Sequence, residues 1–263
     1  MKKATTKFRG SRQTTEVYVN PADGTAVLND MYNSLKDLPW DVPVSGTIYG
    51  TALNYKGALA ALGESVNEKP YQAPPKAPIM YIKPVNTIIS YGMPIPLPTD
   101  FSEVEIGPAL GIVIGQTATR VSEEQAMSYV AGYTIVNDVS IPHESVYRPA
   151  VMQKARDGFC PVGPWVIERE AVTNPDELNI RVFINGELKQ QNNTKNLIRS
   201  VRRLICDVTD FMTLNAGDVL LVGVPENAPL AKKGDVVRIE IDEVGILENH
   251  VVNENELVKE VVR

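Results

Sequence analysis

Residues 127–166 read MSYVAGYTIVNDVSIPHESVYRPAVMQKARDGFCPVGPWV. The apolar run from Val130 to Val136 reads as a strand packed on both faces, and a short run of this kind suits a sheet interior. The chain then turns at Asn137-Asp138, and Pro142 forbids a continuing helix, so Asp138 is expected at a strand end. A polar arm from His143 to Pro149 leads to Lys154-Ala155-Arg156-Asp157-Gly158, which feeds a second apolar run from Phe159 to Val166. Charges so close to apolar runs must face solvent or converge on a ligand. The functional site is expected here, with Lys154 in a half-buried strand directing its ammonium at Asp157 or at a substrate carboxylate.

Working outward, Ala109 to Gly115 reads as a buried strand. NIRVFINGELKQQ, residues 179–191, reads as two strands bent at Asn185-Gly186-Glu187. Leu197, Val201, Leu204, Ile205, Val208 and Phe211 repeat at helical spacing, and the strands GDVLLVGVP (217–225) and KKGDVVRIEIDEVGIL (232–247) follow. Upstream, TTEVYVNPADGTAVLND (14–30) carries a hairpin signal at Pro21-Ala22-Asp23-Gly24. Leu38 to Pro43 reads as a Pro-containing linker, Thr47 to Asn54 as the first strand of the main domain, Lys56 to Glu64 as a short helix, and IMYIKP (79–84) as a strand. A further helix is expected from Glu123 to Val130, with Ser122 as its cap and Gln125 completing a capping box. Many strands and few helices, without strict alternation, predict an α+β fold. The expected organisation is a small N-terminal appendage, 1–46, and one larger domain, 47–263.

The chain's 263 residues can bury a large core, and 43% apolar with 22% charged residues is ordinary for a globular protein. A net charge of -6 removes the electrostatic footing for nucleic-acid binding. Arg199, Arg202 and Arg203 read as a solvated helix face. No apolar run approaches the length of a membrane span, and no signal-peptide core follows Lys2-Lys3, so neither membrane nor nucleic acid is an expected partner and the cytoplasm is the expected compartment. Cys160 and Cys206 lack metal-ligand spacing and read as free thiols.

The ordered pieces ALNY, YIKP, GIVIG, VAGYTIVNDVS, KARDGFCPVGPW, INGELKQQNNT, LNAGDVLLVGVP and KKGDVV…VGILEN, from Thr47 to about Val252, resemble the fumarylacetoacetate hydrolase family. NDVSIPHESVYRP and RDGFCP resemble more particularly the N-terminal half, or separate N-terminal subunit, of its isomerase/decarboxylase members in 4-hydroxyphenylacetate degradation. The resemblance implies a mixed β-sandwich or β-roll enzyme in which magnesium or manganese holds a 2-oxo or 2-enol carboxylate. The implied substrate is a small ring-opened oxo-polyacid, and the implied assembly a homo-oligomer or a hetero-oligomer with a metal-bearing paralogue. It further implies Lys154 and Asp157 as catalytic, Asp138 as a metal ligand, and Lys83, Arg156, Gln190, Thr194, Gly223 and Pro225 as substrate-binding.

The departures from the family pattern are specific. Its Glu-x-Glu ligand pair falls on Gly107 and Ala109, its His/Glu acid–base dyad on Ala58 and Ala61, and its Gly-Thr-Pro threonine on Val224. Glu103 and Glu105 would reach the ligand positions only through a four-residue slip of the strand. Three readings follow: an isomerase/decarboxylase subunit, a catalytically silent partner of a metal-bearing paralogue, and a metal-independent enzyme using lysine. Another oxo-acid hydrolase of the same type is a further alternative. Arg148 and Arg156 could form a carboxylate fork or be merely exposed. His143 could shuttle protons or be a loop residue, and Tyr55, Tyr133 and Trp165 read as core.

Overall fold

The computed structural model describes residues 1–28, 30–69, 72–143 and 150–261. Alternating or continuous apolar runs build a twelve-stranded mixed sheet and a five-stranded sheet, with few helices, so the fold is α+β as expected. The main sheet is centred on Val130–Asn137, paired antiparallel on one side with Pro108–Ile114 and on the other with Cys160–Glu168. All seven residues of Pro108–Ile114 are buried, which is what a strand covered on both faces requires. Beyond it run Val219–Leu221, then Ile48–Ala52 in parallel, then Ile79–Lys83.

Residues 1–46 join the same sheet. Lys2–Phe8 pairs with Cys160–Glu168, and the hairpin Thr15–Asn20/Thr25–Leu28 extends it. The segment read as a linker contains a short strand, Trp40–Asp41, on Lys7–Phe8. Trp40 is the reason: its indole is buried, donates to Leu35 O at 2.6 Å and meets the Trp165 ring edge-on at 5.7 Å.

The five-stranded sheet orders Glu187–Asn193, Asn179–Ile184, Val236–Ile241, Gly245–Asn253 and Pro94–Leu97. Its apolar face closes with the main sheet over one large core that contains Tyr55, Tyr133 and Trp165, as expected of those rings. Val201–Phe211 is the longest described helix, capped by Ser200, whose hydroxyl accepts from Arg203 N.

Two local expectations are corrected. The helix expected over 123–130 is only a 3-10 turn, Ala126–Tyr129, because Gly115 N bonds Tyr129 O and the chain must be extended again at Val130. Nor is Arg199 solvated with Arg202 and Arg203: it precedes the helix, its side chain is 12% exposed, and it bonds Asp207 and Lys76 O.

Candidate functional site

Asp138 follows the last residue of Val130–Asn137, and the sheet register fixes what surrounds it. Its N–H donates to Gly107 O at 2.7 Å, while Asn137 Oδ1 accepts from Gly107 N at 3.0 Å. Strand alternation places Tyr81 and Lys83 of Ile79–Lys83 on one face, aimed at this strand end. Gly50, opposite Tyr81, makes room, since a Cβ there would lie 2.1 Å from the phenol ring. The helix Val151–Lys154 supplies the third group from the other side.

The result is one buried carboxylate between two ammoniums. Lys83 Nζ is 2.9 Å from Asp138 Oδ1 and Lys154 Nζ is 2.8 Å from Oδ2, with Tyr81 donating its hydroxyl to Oδ2. Lys83, wholly buried, also donates to Val139 O at 3.1 Å and Lys154 O at 2.7 Å, leaving its approach to Oδ1 an ion pair with no well-aligned hydrogen bond. Lys154 lies 5.1 Å over the Tyr81 ring and retains 20% exposure of its side chain. Burial alone would raise the Asp138 carboxyl, but Lys154, Lys83 and the donated hydrogen bonds hold it well below the usual carboxylate range. The Tyr81 phenol is pushed far up by burial and by the Asp138 charge, so it remains a donor.

The predicted residues thus separate into groups. Lys83, Asp138 and Lys154 meet, although Lys154 ends a helix and does not lie in a strand, because the chain must turn between Ile141 and Cys160. Of the two partners read for Lys154, Asp157 is not taken: it is exposed and accepts from Asn86 Nδ2 at 2.7 Å. Arg156 turns back to Met152 O at 3.0 Å and lies 5.4 Å over Phe101. Gln190 donates to Glu226 O, beside the Gly223–Pro225 loop. Thr194 is buried and accepts from Leu178 N at 2.8 Å, pinning the edge of the second sheet. His143 is partly buried, and neither ring nitrogen has a partner among the described residues. Arg148 lies outside the described residues.

The register also decides where Glu103 and Glu105 stand. Pro108 pairs with Asn137, Ala109 with Val136, and Glu105 bridges Ser140, so the four-residue slip is not adopted. Glu105 nonetheless comes within Coulombic reach of His143, Lys154 and Asp138, and burial pushes its carboxyl up. Sequence reasoning missed Tyr81 and Glu226. Tyr81 could have been found from its period-two relation to Lys83, whereas nothing local marks Glu226.

Residues 47–252 match the family described as "Fumarylacetoacetate (FAA) hydrolase C-terminal". The chain is 44% identical over 214 residues to the 4-hydroxyphenylacetate degradation bifunctional isomerase/decarboxylase of Escherichia coli, a match covering 81% of this chain and 49% of that protein. It therefore spans about half the length of the first curated relatives it matches. Among solved structures it is similar to 5-carboxymethyl-2-hydroxymuconate delta-isomerase from Mycobacterium smegmatis, at 28% identity and a TM-score of 0.77 over 96% of this chain and 99% of that one. It shares its fold, with a TM-score of 0.75 at 24% identity, with maleylpyruvate hydrolase from Sphingobium in complex with manganese(II) and pyruvate, over 95% of this chain and 99% of that one. The chain belongs to the fumarylacetoacetate hydrolase family.

Proposed function

We propose that this chain is a subunit of an isomerase/decarboxylase that takes an acidic, ring-opened product of aromatic catabolism. The substrates of that reading are 2-hydroxyhepta-2,4-diene-1,7-dioate for isomerisation and 5-carboxymethyl-2-oxo-hex-3-ene-1,7-dioate for decarboxylation. The observation that supports it is the Lys83–Asp138–Lys154 cluster: one carboxylate is shared by two ammoniums, and only Lys154 keeps exposed surface. Lys154 is oriented by Asp138 and the Tyr81 ring before any ligand arrives, so little ordering entropy is lost when it meets a substrate carboxylate. Lys83, satisfied by two carbonyls and Asp138, is a positioning residue. Arg156 and Asp157, next along the chain, would form the outer rim.

Magnesium or manganese would ordinarily polarise a 2-oxo acid bound in this family's site. The residues present do not fit such an ion. Asp138 already faces two ammoniums, Gly107 and Ala109 carry no side-chain oxygen, and a Cβ on Gly107 would meet Asp138 O at 2.4 Å. Among the described residues no group of three His, Cys, Asp or Glu side chains could hold a metal. This disagreement also favours a second reading, in which the chain pairs with a metal-bearing paralogue and full turnover needs both.

Two measurements test these readings. Lys154→Met should weaken calorimetric binding of 2-oxohexanedioate by about 1.5–3 kcal/mol, the scale of a charge-assisted contact; an unchanged affinity would remove the oxo-acid assignment. Loss of the conjugated oxo-acid absorbance on adding the pure chain alone, at about ten turnovers per second, would remove the need for a paralogue.

A further inference from the structure

A second polar cluster lies beside the first and is not used by the lysines. The chain passes through the left-handed region at Leu53 (φ 55), which sends Asn54 and Tyr55 beneath the loop Val222–Glu226. Asn54 Nδ2 donates to Val222 O at 2.8 Å, and the Tyr55 ring lies against Gly223. Glu226 precedes another left-handed residue, Asn227 (φ 58), and its carboxyl is laid on Gly57: a Cβ there would be 2.1 Å from Glu226 Cδ. Any side chain at position 57 would occupy the volume that this carboxylate fills.

Three buried polar atoms at this place lack partners among the described residues: Glu226 Oε2, Gln190 Oε1 and the Tyr55 hydroxyl. Gln190 is 8% and Tyr55 0% exposed, so neither side chain is simply solvated. A buried polar group without a partner costs about 1–3 kcal/mol, and three together point to a ligand that supplies the missing bonds. Glu226 Oε1 is held by Asn192 Nδ2 at 3.1 Å, which fixes the carboxylate and leaves Oε2 for that ligand. The loop also joins the two clusters. Val224 Cγ2 would lie 3.1 Å from a Cβ at Gly107, whose other neighbour is Asp138 O, and Glu226 is two residues further on.

We propose that Glu226 is the proton-transfer residue of the site, acting on the chain carbons and enol oxygen of an oxo-acid whose carboxylate is held at Lys154. The assignment rests on the oxo-acid reading above. A 2-hydroxy-2,4-dienoate becomes its 2-oxo-3-enoate isomer when the enol O–H proton leaves and one proton arrives at C5. One O–H bond breaks, one C–H bond forms, the π electrons shift along the chain, and no oxidant or reductant is consumed. Glu226 Oε2 accepts the first proton and returns one, while the Tyr55 hydroxyl and Gln190 Oε1 position the donor. Ala58 and Ala61 carry no group able to do this.

The test uses the full chain with 2-oxohept-3-enedioate in D2O, following exchange at C5 by proton NMR, with binding measured separately by calorimetry. Expected is exchange by the unaltered chain, a loss of 10²–10⁴-fold in Glu226→Gln at unchanged affinity, and partial recovery in Glu226→Asp. Equal exchange rates in the unaltered chain and Glu226→Gln overturn the role of Glu226, as does binding by the unaltered chain without any exchange. Failure of the unaltered chain to bind overturns the oxo-acid reading itself, and the role built on it. Circular dichroism and a retained affinity in Glu226→Gln separate lost chemistry from lost folding.

Discussion

Replacing Lys83 by methionine isolates the buried half of the charge cluster. The ammonium is wholly buried, 2.9 Å from Asp138 Oδ1, and donates to Val139 O and Lys154 O. Methionine fills most of the stem's volume, so the perturbation is electrostatic more than steric. Removing one partner of a buried pair leaves the other charge short of compensation and typically costs about 3–5 kcal/mol. Lys154 and Tyr81 still reach Asp138, which places the expectation at the lower end, while two carbonyls lose a donor, which moves it back up. At about 2–4 °C per kcal/mol for a chain approaching this size, the melting temperature should fall by roughly 10 °C. Urea unfolding at fixed protein concentration is the assay, because any self-association would add to apparent stability. The midpoint should shift at unchanged m. The sign of the pH dependence follows from Asp138, whose folded carboxyl lies well below the usual range. Its ionised form stabilises the fold above the unfolded carboxyl value of about 3.9, and that contribution is lost as pH falls further towards the folded value. The gap between the unaltered chain and Lys83→Met should therefore be constant above about pH 5 and shrink as pH falls below about 4. A loss under about 1 kcal/mol at neutral pH, or a gap that widens in acid, would refute the description of Lys83 as a buried counter-charge.

Gly107→Glu, which supplies one oxygen ligand of the family pattern, should destabilise by about 1–3 kcal/mol because its Cβ meets Asp138 O at 2.4 Å; calorimetry should show no micromolar magnesium site in the folded variant, and finding one would show that Asp138 can leave its lysines. Arg199→Ala should lower stability by about 1–2 kcal/mol through its contacts with Asp207 and Lys76 O, yet leave 2-oxohexanedioate binding unchanged in calorimetry. Cys160 is buried, and burial pushes its thiol up to about 12. A thiol reagent at pH 8 should therefore modify Cys206 and spare Cys160 until urea unfolds the chain, and prompt reaction of both thiols would contradict the burial of Cys160.

The strands were legible because their signal is local: Val130 to Asn137, Pro108 to Ile114 and Asn179 to Ile184 each carry in a few residues the apolar content that their environment demands. So was the place of Asp138, since a strand end followed by Pro142 needs no knowledge of the rest of the chain. That Gly107, Ala109, Ala58 and Ala61 bring no ligating or titratable side chain could also be read directly from residue identity. What meets Asp138 could not, because Lys83 and Tyr81 arrive from a strand 55 or more positions earlier, placed by pairing across Ile48–Ala52 and Val219–Leu221. The segment from Leu38 to Pro43 was read as a linker for the same reason, the Trp165 partner of its Trp40 being distant in the chain. Glu226 is the extreme case: a single glutamate after a Gly-Val-Pro turn carries no periodicity, and only the packing of its carboxyl on Gly57, with Gln190 Oε1 and the Tyr55 hydroxyl unpartnered among the described residues, singles it out. Periodicity reports which face of a segment is buried, whereas the identity of the groups that share a buried volume is set by sheet register and loop closure, which are properties of the whole chain.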